Sequence, residues 1–371
     1  MIKISRFALS IITLTLLSSL VFTQEARVDR TEELKGPVHL ALVESSEIVI
    51  VNGKETEINL RQNRKIIYDP NHHEIERTNY NRANGSIENH LVHIIDNKGR
   101  VIGAKSYQLN PDGKGERLIG NYTFRYVENG SIIETQSYID DRLSGITKSS
   151  YDNNGLLLEE TKLDGNRTVN QVTKKTYDRK GNLLTTATTV NSKTELLERF
   201  YDDAGHLIRY KQTSYHGESN VINYIYDSSG REIERNGDSP EFTFKDITTY
   251  DAKGRVIRKV YDEHAKPPGG PPSEGPEPGI IEYSYDEKDQ VIEEQHRWPG
   301  GALQNRELNS YDAAGRLQSS EFYDNNNALM FKGTFEYDRW GNCIKTLSKH
   351  WDHGQIFMYV TRVIISYYDN K

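Results

Sequence analysis

Apolar residues return along this chain in a fixed relation to a tyrosine. Six and seven positions after each of eight tyrosines stand Leu157–Leu158, Leu183–Leu184, Leu207–Ile208, Glu232–Ile233, Val256–Ile257, Val291–Ile292, Leu317–Gln318 and Cys343–Ile344. Each of the two columns is apolar in seven of the eight units. Neighbouring residues of a strand point to opposite faces, so two adjacent apolar columns predict strands that are partly apolar on both sides. That pattern argues against one flat sheet standing in water.

The tyrosines open the phrase Tyr-Asp-x-x-Gly at Tyr151, Tyr177, Tyr201, Tyr226, Tyr250, Tyr311 and Tyr337, while Asp289 replaces the glycine in the copy at Tyr285. Successive tyrosines are 26, 24, 25, 24, 35, 26 and 26 residues apart. A fixed period of this size marks a repeat array. Asp-x-x-Gly predicts a type I turn closed by a glycine in the left-handed region, with the aspartate accepting from the turn amides. The structural turn residues are therefore Asp178 with Gly181, Asp202 with Gly205, Asp251 with Gly254 and Asp312 with Gly315. Tyrosine closes the incoming strand and is expected to face the residue five positions on. A second polar turn, as at Leu163-Asp164-Gly165-Asn166, returns the chain. Each unit of about 25 residues is then two antiparallel strands.

Degenerate copies at Tyr68, Ile95 and Tyr126, and a last one opening at Tyr368, bring the starts to twelve. Roughly 24 strands at about 4.8 Å would make a ribbon on the order of 110 Å wide. Open sheets rarely exceed about 10 strands, so the sheet is expected to curl or spiral. Before the repeats, Ile48 to Val51, Asn52-Gly53 and Lys54 to Leu60 predict a hairpin, since Asn-Gly tolerates positive φ at both positions. This hairpin is expected to cap the array. The long spacing after Tyr250 holds a Pro/Gly-rich segment from Lys266 to Gly279, expected as an extended loop at a hairpin tip.

Lys3 and Arg6 precede an uncharged run from Phe7 to Phe22, which predicts an export signal over residues 1–23. Residues 24–66 form the N-terminal segment with its hairpin, and 67–371 the array. Signal removal takes away two positive charges and no negative ones, moving the net charge from −7 to −9. No basic stripe is present, which argues against a nucleic-acid partner. No second long apolar run occurs, so no membrane span is expected after signal removal. Cys343 is the single cysteine, so an intrachain disulfide framework is excluded. With 35% hydrophobic residues and Tyr (23) outnumbering Phe (10) and Trp (3), a thin layered structure is expected, with tyrosine rings and charged stems covering the sheet.

The register of tyrosine, aspartate and glycine resembles the YD, or Rhs, repeats of bacterial Rhs polymorphic toxins and of teneurin shells, over about residues 66–371. The resemblance implies a β-sheet that spirals into a shell, in an extracytoplasmic setting. The toxins' Asp-Pro-x-Gly core motif and self-cleavage site are absent, and no effector is expected after the array. The chain looks more like the small exported YD-repeat proteins of bacteria.

Candidate chemistry is sparse. His72, His73, His90 and His93 cluster in sequence, as do His350, Asp352 and His353, yet residues three apart on a strand point to opposite faces and do not converge on a metal. Glu159-Glu160 and Glu293-Glu294 alternate across strands and form no acid–base pair. The turn aspartates have structural work, and no nucleophile elbow or phosphate loop occurs. No cofactor, metal or catalytic residue is expected. Trp298 and Trp351 do not recur in register, nor does Trp340, and Trp298 lies in Trp298-Pro299-Gly300-Gly301, where a turn would present it outward. Trp298 and Trp351 are the candidate ligand-binding residues. The expectation is an exported, non-enzymatic scaffold or binding surface of the bacterial envelope, with a protein or glycan partner. Alternatives are a carbohydrate-binding module using exposed aromatics and an orphan shell-like protein related to Rhs toxin systems.

Overall fold

A computed structural model describes residues 34–81, 83–110, 115–126, 131–266, 279–352 and 354–368. The predicted export signal over residues 1–23, residues 267–278 of the Pro/Gly-rich insertion, His353 and the last copy beyond Tyr368 lie outside the described residues, as does the turn after Tyr126.

Twenty-four strands, numbered in chain order, form one antiparallel sheet. It runs from β1 (Val38–Val51) and β2 (Lys54–Tyr68) through β9 (Leu157–Asp164) and β20 (Leu303–Tyr311) to β23 (Cys343–Asp352) and β24 (Gln355–Tyr367). Two strands per repeat, with a repeat tyrosine ending nearly every even-numbered strand, match the pattern read from the sequence. The spiral does not occur. β1 pairs with β2 on one side and with β24 on the other, from Val38↔Tyr367 to Ile48↔Met358, so the sheet closes into a barrel. The N-terminal hairpin accordingly joins the two ends of the wall instead of capping one of them. Closure satisfies the backbone groups that a spiral leaves bare at each end.

Register corrects a second expectation. Tyr177 lies opposite Leu183 and Tyr201 opposite Leu207, six positions on, with a bulge just before the tyrosine in the ladder. The seventh residue is the extra one of the bulge, set against no partner of its own. Simple alternation therefore fails at these two columns.

The residue before each repeat tyrosine is exposed (Ser150, Thr176, Phe200, Ile225, Thr249, Ser284, Ser310 and Glu336), whereas the tyrosines are half-buried. Side chains converge on a concave surface and diverge on a convex one, so the tyrosine face lines the barrel. The convex face wears cross-strand ion pairs such as Lys174–Glu159 at 3.6 Å and Lys245–Glu234 at 3.0 Å. The concave face sets Tyr224, Phe244, Tyr261 and Tyr283 among Arg235, Asp246 and Glu294.

Packing is uneven around the ring. At the seam Ala41, Val43, Ile66, Tyr68 and Val363 form a buried cluster on the concave face, with Leu34, Cys343 and Tyr367 packed on it. On the convex face Ile48, Met358 and Val360 are covered by long side chains that cross β1: Arg362 pairs with Glu57, and Lys349 with Glu55 at 3.0 Å. From β9 through β20, Gly237 is the only fully buried strand residue among those described. Twenty-four strands at about 4.8 Å close a ring on the order of 37 Å across before tilt, too wide for side chains to fill.

Candidate functional site

The barrel has two rims of different construction. At the first, the described hairpins turn through the repeated phrase or a degenerate copy of it. In the turn at Asp178 the Gly181 amide donates to the Asp178 carbonyl at 3.1 Å, and Gly181 sits at φ 89°. Asp178 Oδ1 accepts from the amides of Lys180 and Asn182, both at 2.8 Å. Its Oδ2 accepts from the Asn182 side chain at 2.8 Å. Asp227, Asp251 and Asp312 hold Arg231, Arg255 and Arg316 in the same way, with Nε–Oδ2 distances of 2.7 Å.

The residue after the glycine then reaches the next repeat. Arg231, Arg255 and Arg316 lie over the rings of Tyr250, Tyr285 and Tyr337 at 4.8, 4.6 and 4.8 Å, and His206 stacks on Tyr226 at 4.8 Å. Each tyrosine hydroxyl donates back to the carbonyl of the preceding unit: Tyr177 to Leu157 at 2.9 Å, Tyr201 to Leu183 at 3.1 Å, Tyr226 to Leu207 at 2.9 Å. This clamp is the feature that reading the sequence missed. Its signal was present in the donor-bearing residues Asn182, His206, Arg231, Arg255, Arg316 and Asn342 that follow the glycines.

These hydrogen bonds lower the carboxyl pKa at eight turns. For Asp96, Asp227, Asp251 and Asp312 the main cause is the backbone N–H of the following arginine. For Asp202 it is the His206 ring. At Asp69, Asp178 and Asp338 partial desolvation opposes the effect, and the hydrogen bonds outweigh it. Asp289, in place of a glycine at φ 63°, is held by Lys253 at 2.9 Å and Arg255 at 2.6 Å from the preceding unit. The carboxylates and the donors that follow the glycines on this rim thus serve the array.

The opposite rim is irregular. Asn52-Gly53, Asp140-Asp141 and Asn191-Ser192 make two-residue turns with both φ positive, and Arg167 and Asn327 take the left-handed position elsewhere. The first hairpin projects furthest: β2 pairs its second neighbour only from Arg64 to Tyr68. That leaves 54–63 as a free edge, guarded by charges and by the bulge at Asn59 (φ 54°). Large apolar groups stand out along this rim: Ile50 (63% exposed), Ile139 (58%), Val169 (54%), Ile356 (51%) and Trp298 (49%). In the Trp298 turn, Trp298 N donates to Ala302 O at 2.9 Å and Gly301 N to Trp298 O at 2.8 Å, and the Arg297 guanidinium donates to the Gly301 carbonyl at 2.9 Å. The indole has no part in it.

Trp351 lies in β23 opposite Ile356, half-buried on the convex face, so the two candidate tryptophans share a rim without meeting. Trp340 belongs to the regular rim, where its ring covers Gly36 so closely that a Cβ there would sit 2.8 Å away. Next to it Lys35 N donates to Asn342 Oδ1 at 2.7 Å, fixing the chain's entry into β1.

The histidines disperse. His73 bonds Asp69 at 3.0 Å, His90 lies between Glu116 (2.8 Å) and Glu76 (3.5 Å), and His93 Nδ1–H donates to the Glu74 carbonyl at 2.8 Å. His350 packs against Phe331 and Tyr359. Among the described residues no group of His, Cys, Asp or Glu is placed to hold a metal ion. Burial raises the pKa of the Cys343 thiol, which stands beside the seam cluster.

No family model matches the sequence, and no curated protein matches it. Among solved structures, a TcdB2-TccC3 complex superposes with a TM-score of 0.32 at 12% identity, covering 85% of this chain and 24% of that one. The Tc holotoxin pore of Photorhabdus luminescens gives 0.29 at 12% identity, with 84% and 23% covered. A porin-like protein from Bacteroides uniformis gives 0.26 at 10%, with 90% and 99% covered. The chain spans about a quarter of the Tc chains. The likeness is one of all-β architecture, and TM-scores this far below 0.5 say nothing of function.

Proposed function

We propose that this is an exported, non-enzymatic YD-repeat barrel that acts as a binding scaffold of the bacterial envelope, recognising its partner through the irregular rim. The observation that carries this reading is the contrast at Trp298. A large aromatic is held 49% exposed at a turn that closes without it, while the aromatics of the other rim are tied into hydrogen bonds and cation–π contacts. Exposed aromatics that the fold does not use are the usual anchors of recognition surfaces.

Neither face of the wall offers a lipid belt. Lys174, Glu198, Arg209 and Glu234 interrupt the convex face, and Arg199, Arg235, Asp246 and Glu294 the concave one. A membrane-spanning barrel needs one continuous apolar face, so an aqueous setting suits this wall better. No helix among the described residues is long and apolar enough to cross a membrane. Exposed aromatics favour a glycan as the second reading of the same rim.

The test is capture from the native envelope by the mature protein and by Trp298→Ala, alongside a glycan array. A partner retained by the parent and lost by the variant, at equal melting temperature, supports the proposal. A partner held equally by both places recognition elsewhere.

A further inference from the structure

One stretch of the irregular rim is concave. The tip joining β11 (Leu183–Val190) to β12 (Lys193–Tyr201) and the tip joining β13 (Leu207–Thr213) to β14 (Ser219–Tyr226) enclose an open cleft of ≈ 310 Å³, lined by Val190, Asn191, Lys193, Tyr215 and His216. That is the volume of a small-ligand site. Among the described residues, the Lys193 ammonium, the Tyr215 hydroxyl and the His216 ring have no hydrogen-bond or ion-pair partner. Nearby, Lys174, Lys211 and Lys245 each reach a glutamate on the next strand. No carboxylate lines the cleft.

We infer that this cleft is a subsite for an acidic sugar, a pyranose bearing a carboxylate, as a unit of an envelope glycan. The inference rests on the reading of the irregular rim as the recognition surface and names its ligand class. The Tyr215 ring, 36% exposed, offers an apolar face to the C–H side of a pyranose. Lys193 supplies an uncommitted positive charge for the carboxylate, and the Asn191 amide and His216 ring supply groups for hydroxyls. Asn191 is held at φ 48° by its two-residue turn, so its position is fixed before a ligand arrives. A neutral sugar would use the ring and leave the cation idle, which sets the expected preference at about tenfold.

The experiment titrates the mature protein with a glucuronic-acid-containing disaccharide and with its all-glucose counterpart, read by ligand-observed NMR and calorimetry. The acidic sugar should bind about tenfold tighter. Lys193→Met should erase that preference and leave the neutral sugar unchanged. Tyr215→Ala should abolish both. Both side chains are at the surface, so melting temperatures should stay at the parent value and any loss reads as lost contact. Trp298→Ala should leave this binding intact. Equal affinity for the two sugars, or acidic-sugar binding that survives Lys193→Met, overturns the inference. Silence at the cleft together with a partner lost in Trp298→Ala overturns it too, while leaving the rim reading in place. Binding at the cleft with no partner dependent on Trp298 moves recognition to the cleft alone.

Discussion

The two rims are made by the same strands, yet one repeats a single solution and the other mixes several, from two-residue turns at Asn52, Asp140 and Asn191 to Asp-anchored turns at Asp164 and Asp324. At the regular rim Asp, Gly, the residue after Gly and Tyr are each committed to a turn or to the neighbouring unit. At the irregular rim the turns differ from unit to unit, and Trp298, Tyr215, Ile139 and Ile356 stand exposed without a structural task. The difference teaches where to look in a repeat protein: recurrence identifies side chains that hold the array together, and departure from recurrence identifies those free to do something else.

The broadest way to break the comparison is acid, because the turn aspartates with depressed pKa gather on the regular rim. The eight turn aspartates have folded-state pKa values below their ordinary value of 3.8. A depressed folded pKa contributes stability that is present above the unfolded value and is lost as pH falls through the folded one. The melting temperature should therefore hold down to about pH 4 and fall steeply below it. A melting temperature unchanged at pH 2.5 would show that these carboxylates do not hold the rim.

Among single changes, Tyr201→Ala should cost most, roughly 2 kcal/mol, through lost ring burial and the hydrogen bond to the Leu183 carbonyl. Denaturant unfolding measures it, and a loss equal to that of an exposed tip residue would contradict the clamp. Gly181→Val should cost about 1–2 kcal/mol, because the glycine's φ of 89° is left-handed. The space beside it is open, with only Leu156 Cδ1 at 4.0 Å, so backbone strain alone is tested. Lys180→Ala in the same turn should stay within about 0.5 kcal/mol, and equal thermal shifts for the two would place Gly181 outside the left-handed region.

On the irregular rim the expected effects on stability are small. Trp298→Ala should leave the melting temperature within about 2 °C of the parent while weakening capture of the partner. A loss as large as that of Tyr201→Ala would mean the indole is part of the fold. Ser192→Gly should be slightly stabilising, by a few tenths of a kcal/mol, since Ser192 sits at φ 64° in a two-residue turn. Destabilisation there would point to a contact of the serine side chain that outweighs the backbone gain.

Much of this was legible in advance. The repeat phrase specified the strand count, the antiparallel meander, the left-handed glycine at Gly181 and the hairpin at Asn52-Gly53, because each depends on contacts within a few residues. The tyrosine register was misjudged by one residue, since the bulge that skips the seventh position is a property of the paired strands. The clamp from Arg231 to Tyr250 spans two units and was visible only as a preference for donors after glycine. The cleft between the Asn191 and Tyr215 tips joins residues that no spacing rule relates.

Sequence by itself determined the unit: where each strand turns, which residues recur, and which aromatics do not. Closure was left to the tertiary structure. Nothing local in Val38–Val51 distinguishes a strand that caps an array from one that meets β24 after the whole ring has been laid down. That choice depends on twist accumulated over 24 strands and on the side chains of Val43, Val363, Arg362 and Glu57, which meet only when the two ends of the chain do.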